Sequence, residues 1–173
     1  MGIHSAGGCR RPWCRQRTNA STPTRAGLGR LGELTTPIPL RRFAERAAAV
    51  LPVGVSGVRV AGDPERLVRT VAVCGGSGAS LMGAAQAAGA DVFLTSDLKH
   101  HPVSEAMETL GPALCEVAHY ASEWPWLPVA ADVLHRDLGA RVDVAVSRRR
   151  TDPWTWHVSQ DATTDRPAEE SAD

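Results

Sequence analysis

The sequence predicts an α/β fold, a layered sheet with parallel central strands flanked by helices, and three observations predict it. Strand-sized apolar runs alternate with segments of helical period through most of the 173 residues. Gly, Pro, Ser and Asp punctuate the junctions between them, where a chain turns from strand to helix. No repeat period points to a stacked array instead.

The elements follow in order. Residues 24–39, TRAGLGRLGELTTPIP, are broken up by Gly and Pro and read as an irregular start. LRRFAERAAAVL (40–51) is the first helix. Leu40, Phe43, Ala47 and Val50 recur at helical spacing with Arg and Glu between them, and Pro52 ends it. SGVRVAG and RLVRTVAVC are strands on either side of the turn signal GDPE. CGGSGASLMGAAQAAG is a Gly-rich turn running into a small-residue helix that stops at Gly89. DVFLT is the next strand. PVSEAMETLG is a short helix with Pro102 in its first turn and an apolar face of Val103, Ala106, Met107 and Leu110. ALCEVAH is a further strand, and SEWPWLPVAADVLHRDLG is a helix with Ser122 as its N-cap. RVDVAVS (141–147) reads as the last strand, with TDPWTW closing it against the fold and Trp124 and Trp126 as core plugs.

Residues 27–158 are expected to form one unit between two disordered ends. The leader, 1–26, has five arginines and no acid; the tail, 159–173, has five acids and one arginine. Both are too poor in aliphatic residues to offset the entropy of ordering. The leader's charge suits a solvated arm, and a nucleic-acid partner is not expected. No apolar run approaches the roughly 20 residues of a membrane-spanning helix, and the basic start lacks the apolar core of a secretory signal. A cytoplasmic location with no membrane partner is the expectation. Cys9, Cys14, Cys74 and Cys115 contain no C-x-x-C pair, so neither zinc-ribbon spacing nor a disulfide framework is predicted.

In a sheet of this kind, binding groups gather at the carboxyl ends of the strands. One strand end carries CGGSG, the next SDLKHHP with Asp97, His100 and His101, and the third HYASE with His119 and Glu123. Parallel neighbours would bring all of them to one edge. Imidazole and carboxylate together suit a divalent ion. The same residues also suit a strand-capping histidine and a glutamate favouring a helix dipole. Because His119 ends a strand in this reading, residues 119 and 123 straddle a turn and do not share a helix face. Asp97 suits orienting an imidazole, and equally capping a turn. GGSG suits either an anion cradle or a tight turn, and it has neither the P-loop lysine nor the dinucleotide spacing.

Taken in order, VAVCGGSGASL, GADVFLTSDLKHHPVSEAM and VAHYASEWPWL resemble the C-terminal half of the GTP cyclohydrolase 1 type 2 homologs, also described as NGG-one-interacting-factor-three-like dinuclear-metal proteins. The resemblance implies one lobe of a two-lobed α/β fold with two metal ions between the lobes. His119 and Glu123 match the two ligands supplied by that half. Asp97, His100 and His101 match a motif lining the same cavity and are not carried over as ligands. Divalent ions (zinc, iron or manganese) are the implied cofactors. The implied partners are a small-molecule substrate and further copies of the chain, as ring-like hexamers in the family. The implied activity is metal-dependent hydrolysis of a nucleotide-like small molecule, with GTP ring opening suggested by the family name. The alternatives are a non-catalytic metal-binding or regulatory interaction protein, or a truncated inactive remnant. The family's N-terminal half, with its own His-His-Pro and an aspartate, has no counterpart in this sequence. A complete dinuclear centre in one chain is therefore not expected, and exposed apolar surface should drive association.

Overall fold

The computed structural model describes residues 15–16 and 28–158. Apart from Arg15 and Gln16, the expected disordered ends lie outside the described residues. The strands are β1 (Arg15–Gln16), β2 (Arg30–Pro39), β3 (Arg59–Ala61), β4 (Leu67–Ser77), β5 (Val92–Ser96) and β6 (Ala113–Glu116). The helices are α1 (Leu40–Val50), α2 (Met82–Ala87), α3 (His100–Met107), α4 (His119–Glu123) and α5 (Leu127–Leu138). The strands make one sheet in the order β1-β2-β4-β5-β6-β3. β4, β5 and β6 run parallel at its centre, as the alternation of strands and helices predicts, and the outer pairings are antiparallel.

The central strands are apolar on successive residues because both faces of the sheet are covered. Val71, Val92 and Ala113 face a core completed by Leu40 and Phe43 of α1. Their neighbours Ala72, Phe93 and Leu114 face the opposite core, against which Met82 of α2 and Val103 and Ala106 of α3 pack. Fully burying a side chain such as Leu40 or Phe43 contributes about 1.5–3 kcal/mol, which fixes α1 on its face.

Several expectations are corrected. The supposed irregular start contains β2, ten residues long and paired with β4. Its pairing register shifts between Glu33 and Ile38, so Pro37 sits in the irregularity, where the ladder needs no N–H. Residues 141–147 form no strand; Arg141 closes a 3₁₀ turn that begins at Gly139, and 142–147 follow it without regular structure. The free side of β6 that such a strand would join is taken by β3. Val50 is exposed where α1 ends, and Leu110 is exposed because α3 stops at Met107, with a turn closed by Thr109 N–H on the Ala106 carbonyl. Trp126 is exposed, while Trp124 is part-buried and donates its Nε1–H to the Ser147 carbonyl at 3.2 Å. The tryptophans of TDPWTW do not close a strand, since both Trp154 and Trp156 are exposed.

The predicted helix from Ser122 is three segments. Pro125 and Pro128 lack the N–H that would continue the preceding turn, and each falls at the start of a new one. α4 begins earlier than expected, at His119, with Ser122 N–H bonding the Ala118 carbonyl at 3.1 Å to close its first turn. Ser122 is therefore inside a helix rather than its N-cap.

Candidate metal edge

The three expected strand ends do share one edge. β4 ends in Gly75, Gly76 and Ser77, β5 leads into Asp97, and β6 leads through Val117 and Ala118 into His119. Placing His119 in the first turn of α4 changes its relation to Glu123. The two residues are i and i+4 on one helix face, and His119 Nε2 lies 3.2 Å from Glu123 Oε1. The other ring nitrogen, Nδ1, lies 2.6 Å from Asp97 Oδ2. The imidazole is thus flanked by a carboxylate on each side.

Asp97 reaches this position with a left-handed backbone, φ 56°, a region in which aspartate is one of the few tolerated side chains. The turn is held from the next residue, where Leu98 N–H donates to Glu116 Oε1 at 3.0 Å. The other oxygen of Glu116 pairs with Arg59 on the neighbouring strand β3.

The glycine loop braces the same corner. Gly76 N–H donates to Ser122 Oγ at 2.8 Å, and Ser122 Oγ–H donates to the His119 carbonyl at 2.8 Å. Thr95, fully buried, donates its hydroxyl to the Gly76 carbonyl at 3.0 Å. Gly76 has φ +71°, and a Cβ on it would stand 2.7 Å from Glu123 Oε1 and 3.2 Å from His119 Nε2. Gly78 lies against Thr95 so closely that a Cβ would meet its Oγ1 at 2.1 Å. The glycines of GGSG are set by close packing: glycine is needed to seat β4 against β5 and α4 and to leave space before the His119–Glu123 pair.

The Asp97 hydrogen bond raises the His119 pKa above the ordinary histidine value; partial burial opposes it, and the Glu123 charge adds to the rise. Burial, and then the Glu123 charge, push the nearby Cys74 thiol up. Cys115, inside the sheet, is pushed up to about 12 by burial.

In kind, the donors at His119 Nε2 and Glu123 fit a divalent ion. Two donors each about 2.0–2.1 Å from a tetrahedral ion stand roughly 3.3 Å apart, close to the observed separation. Asp97 occupies the opposite ring nitrogen, so it orients the imidazole and does not add a third donor. Among the described residues, no group of three or more His, Cys, Asp or Glu side chains is placed to hold an ion. His100 and His101 open α3, exposed, with their ring centroids 5.3 Å apart edge to face.

Reading the sequence missed Ser122 and Thr95 as braces, Glu116 as the clasp of the Asp97 turn, and a cleft beyond His119 walled by Asp152, Trp154 and Trp156. The two tryptophans just after Pro153, in a polar stretch, were the available signal for the last. Nothing in the residue spacing marked Thr95 or Glu116.

The sequence profile of Duf34/NIF3 (NGG1p interacting factor 3) matches residues 14–153. A Streptomyces coelicolor protein named GTP cyclohydrolase 1 type 2 homolog is 54% identical over 138 residues, covering 78% of this chain and 48% of that protein. A Mycobacterium tuberculosis protein of the same name is 49% identical over 132 residues, covering 76% of this chain and 35% of that one. Among solved structures, a Bacillus cereus protein related to NIF3 superposes with a TM-score of 0.68 at 32% identity, covering 76% of this chain and 36% of its own. The chain spans between about a third and a half of the length of these relatives.

Proposed function

The chain belongs to the Duf34/NIF3 family, and from that premise we propose that it contributes two ligands, His119 and Glu123, to a divalent-metal centre whose other ligands come from outside the described residues. In this reading the centre serves metal-dependent hydrolysis of a nucleotide-like small molecule, in line with the name its relatives carry. The observation that carries the proposal is the His119 Nε2–Glu123 Oε1 pair, 3.2 Å apart, facing the space that Gly76 leaves open.

Each residue has a stated part. Asp97 accepts a hydrogen bond from Nδ1–H, which would leave the Nε2 lone pair free to hold an ion. Glu123 offers a hard anionic oxygen beside it. Ser122 and Thr95 hold Gly76, and with it the gap between strand and helix. A bound divalent ion (zinc, iron or manganese suits this donor set) would polarise substrate and activate water. His100 and His101 are the acid–base candidates, being exposed imidazoles at the start of α3, the helix that follows β5.

Assembly into a homo-oligomer belongs to the same proposal, as does a cytoplasmic setting. It is supported by large apolar side chains left in water, among them Leu28, Leu110 and Val158. No helix among the described residues is long and apolar enough to cross a membrane. The two-donor count favours one second reading, a metal-binding or regulatory part that has no turnover by itself.

The test is metal content per chain, with a hydrolysis assay on GTP and other nucleotides. Bound metal near stoichiometric, lost in both His119→Ala and Glu123→Ala, with metal-dependent turnover, supports the hydrolase. Metal without turnover supports the second reading. Metal retained by both variants, or never bound by the folded protein, overturns the proposal.

A further inference from the structure

We propose that the cleft on the Nδ1 side of His119 binds a small planar organic cation carrying an amidinium- or guanidinium-type N–H edge. The cleft, of about 390 Å³, lies between the end of β6, residues 55–59, and the extended segment 152–157. It adjoins the metal edge on the opposite side of the imidazole from Glu123, and its occupation requires no ion.

Three features define the ligand. Asp152 lines the cleft at only 9% exposure, and its buried Oδ2 has no hydrogen-bond partner, whereas Oδ1 accepts the Trp154 N–H at 3.2 Å. An unpaired buried carboxylate oxygen is costly and sets the position of a missing donor. Trp154 and Trp156 line the same cleft and remain 71% and 73% exposed. Their faces carry the negative end of the ring quadrupole and attract flat cations. Three carboxylates, Asp97, Glu116 and Asp152, line the cleft against one fixed cation, Arg59, which already pairs with Glu116. His119 and His157 are the remaining titratable groups. A carboxylate with one unpartnered oxygen and two exposed tryptophans lining the same cleft match a planar N–H cation, which hydrogen-bonds the carboxylate and stacks on an aromatic face. An anionic ligand would meet the carboxylates, and an aliphatic one would forgo the tryptophans.

Benzamidine is the probe, titrated against the intrinsic fluorescence of the full chain in excess chelator, with neutral, isosteric benzamide as the control. The expected result is saturable quenching by benzamidine, with benzamide about tenfold weaker or worse. Asp152→Asn and Trp156→Ala should each weaken benzamidine about tenfold while leaving the circular dichroism spectrum unchanged. Equal affinity for benzamide overturns the proposal, as does unchanged affinity in Asp152→Asn. No quenching by benzamidine in the native chain also overturns it. Should Asp152→Asn fail to fold, the exposed Trp156→Ala decides alone: undiminished binding there overturns the site. Because chelator keeps metal out of this titration, its failure would leave the proposed centre to be judged separately, by the metal content of His119→Ala and Glu123→Ala.

Discussion

Asp97 reaches His119 from the left-handed region of backbone space, with φ 56° and its Oδ2 2.6 Å from Nδ1. A conformation that disfavours most side chains is held here by Leu98 N–H on Glu116 and ends in a hydrogen bond that fixes one imidazole. The turn after β5 is thereby coupled to the first turn of α4, and the ring cannot rotate without breaking that coupling.

His119 should therefore titrate above an unfolded histidine, and Asp97→Asn should bring it down. The sign follows from linkage: the raised folded pKa contributes stability that is fully present below the unfolded value of about 6.5 and is lost as pH rises through the folded pKa. The ring is about half exposed, so solvent screening keeps that contribution small and the titration itself is the better readout. NMR of the ring protons in metal-free protein gives it. An unchanged midpoint in Asp97→Asn would show that the carboxylate does not hold the ring in solution.

The Thr95 hydroxyl is the buried link between β5 and the glycine loop. Thr95→Val keeps the shape and leaves the Gly76 carbonyl without its donor, at a cost of about 1–3 kcal/mol. Denaturant unfolding should show that loss as a lower midpoint at constant slope. A midpoint equal to the native one would mean that water replaces the hydroxyl without penalty.

Cys115 sits fully buried in the central sheet, and its thiol is pushed up to about 12. Only the thiolate reacts readily with alkylating agents. At pH 8, site-resolved mass spectrometry should find Cys115 unmodified in the native protein and modified once denaturant is added. Rapid native labelling would place that strand outside a closed core.

How much of this was legible in the sequence depends on the range of the interaction. The parallel strands were readable because strand-sized runs alternate with helical segments, and the consecutive apolar pairs Val71–Ala72, Val92–Phe93 and Ala113–Leu114 fill the two cores that this layering makes. From that, the grouping of Asp97, His119 and Glu123 at one edge followed. β2 was hidden because Gly32, Pro37 and Pro39 break up its strand pattern; pairing with β4 accommodates them, with Gly32 and Pro39 in register and Pro37 in the shift between Glu33 and Ile38. The false strand at 141–147 had the right alternation, but the side of β6 that it would join is held by β3. Whether His119 ended a strand or began a helix turned on one peptide, and the answer decided whether Glu123 shared its face. The orphaned Asp152 oxygen could not be read at all, because a missing partner has no sequence pattern.

Gly76 is where backbone and site depend most directly on each other. Gly76→Ala forces an L side chain to φ +71°, which costs about 1–2 kcal/mol by itself. The added methyl would also stand 2.7 Å from Glu123 Oε1 and 3.2 Å from His119 Nε2, so the pair must spread or α4 must move. A neighbouring substitution separates the two effects: at Gly83, a Cβ meets nothing within 4 Å and φ carries no left-handed strain. Gly83→Ala, within α2, should be neutral or stabilising by up to about 1 kcal/mol. Gly76→Ala should lower both unfolding stability and metal content, and Gly83→Ala neither. If Gly76→Ala loses stability yet binds the native complement of metal, then the space in front of His119 and Glu123 is not where the ion resides, and the donors must be sought elsewhere along the edge.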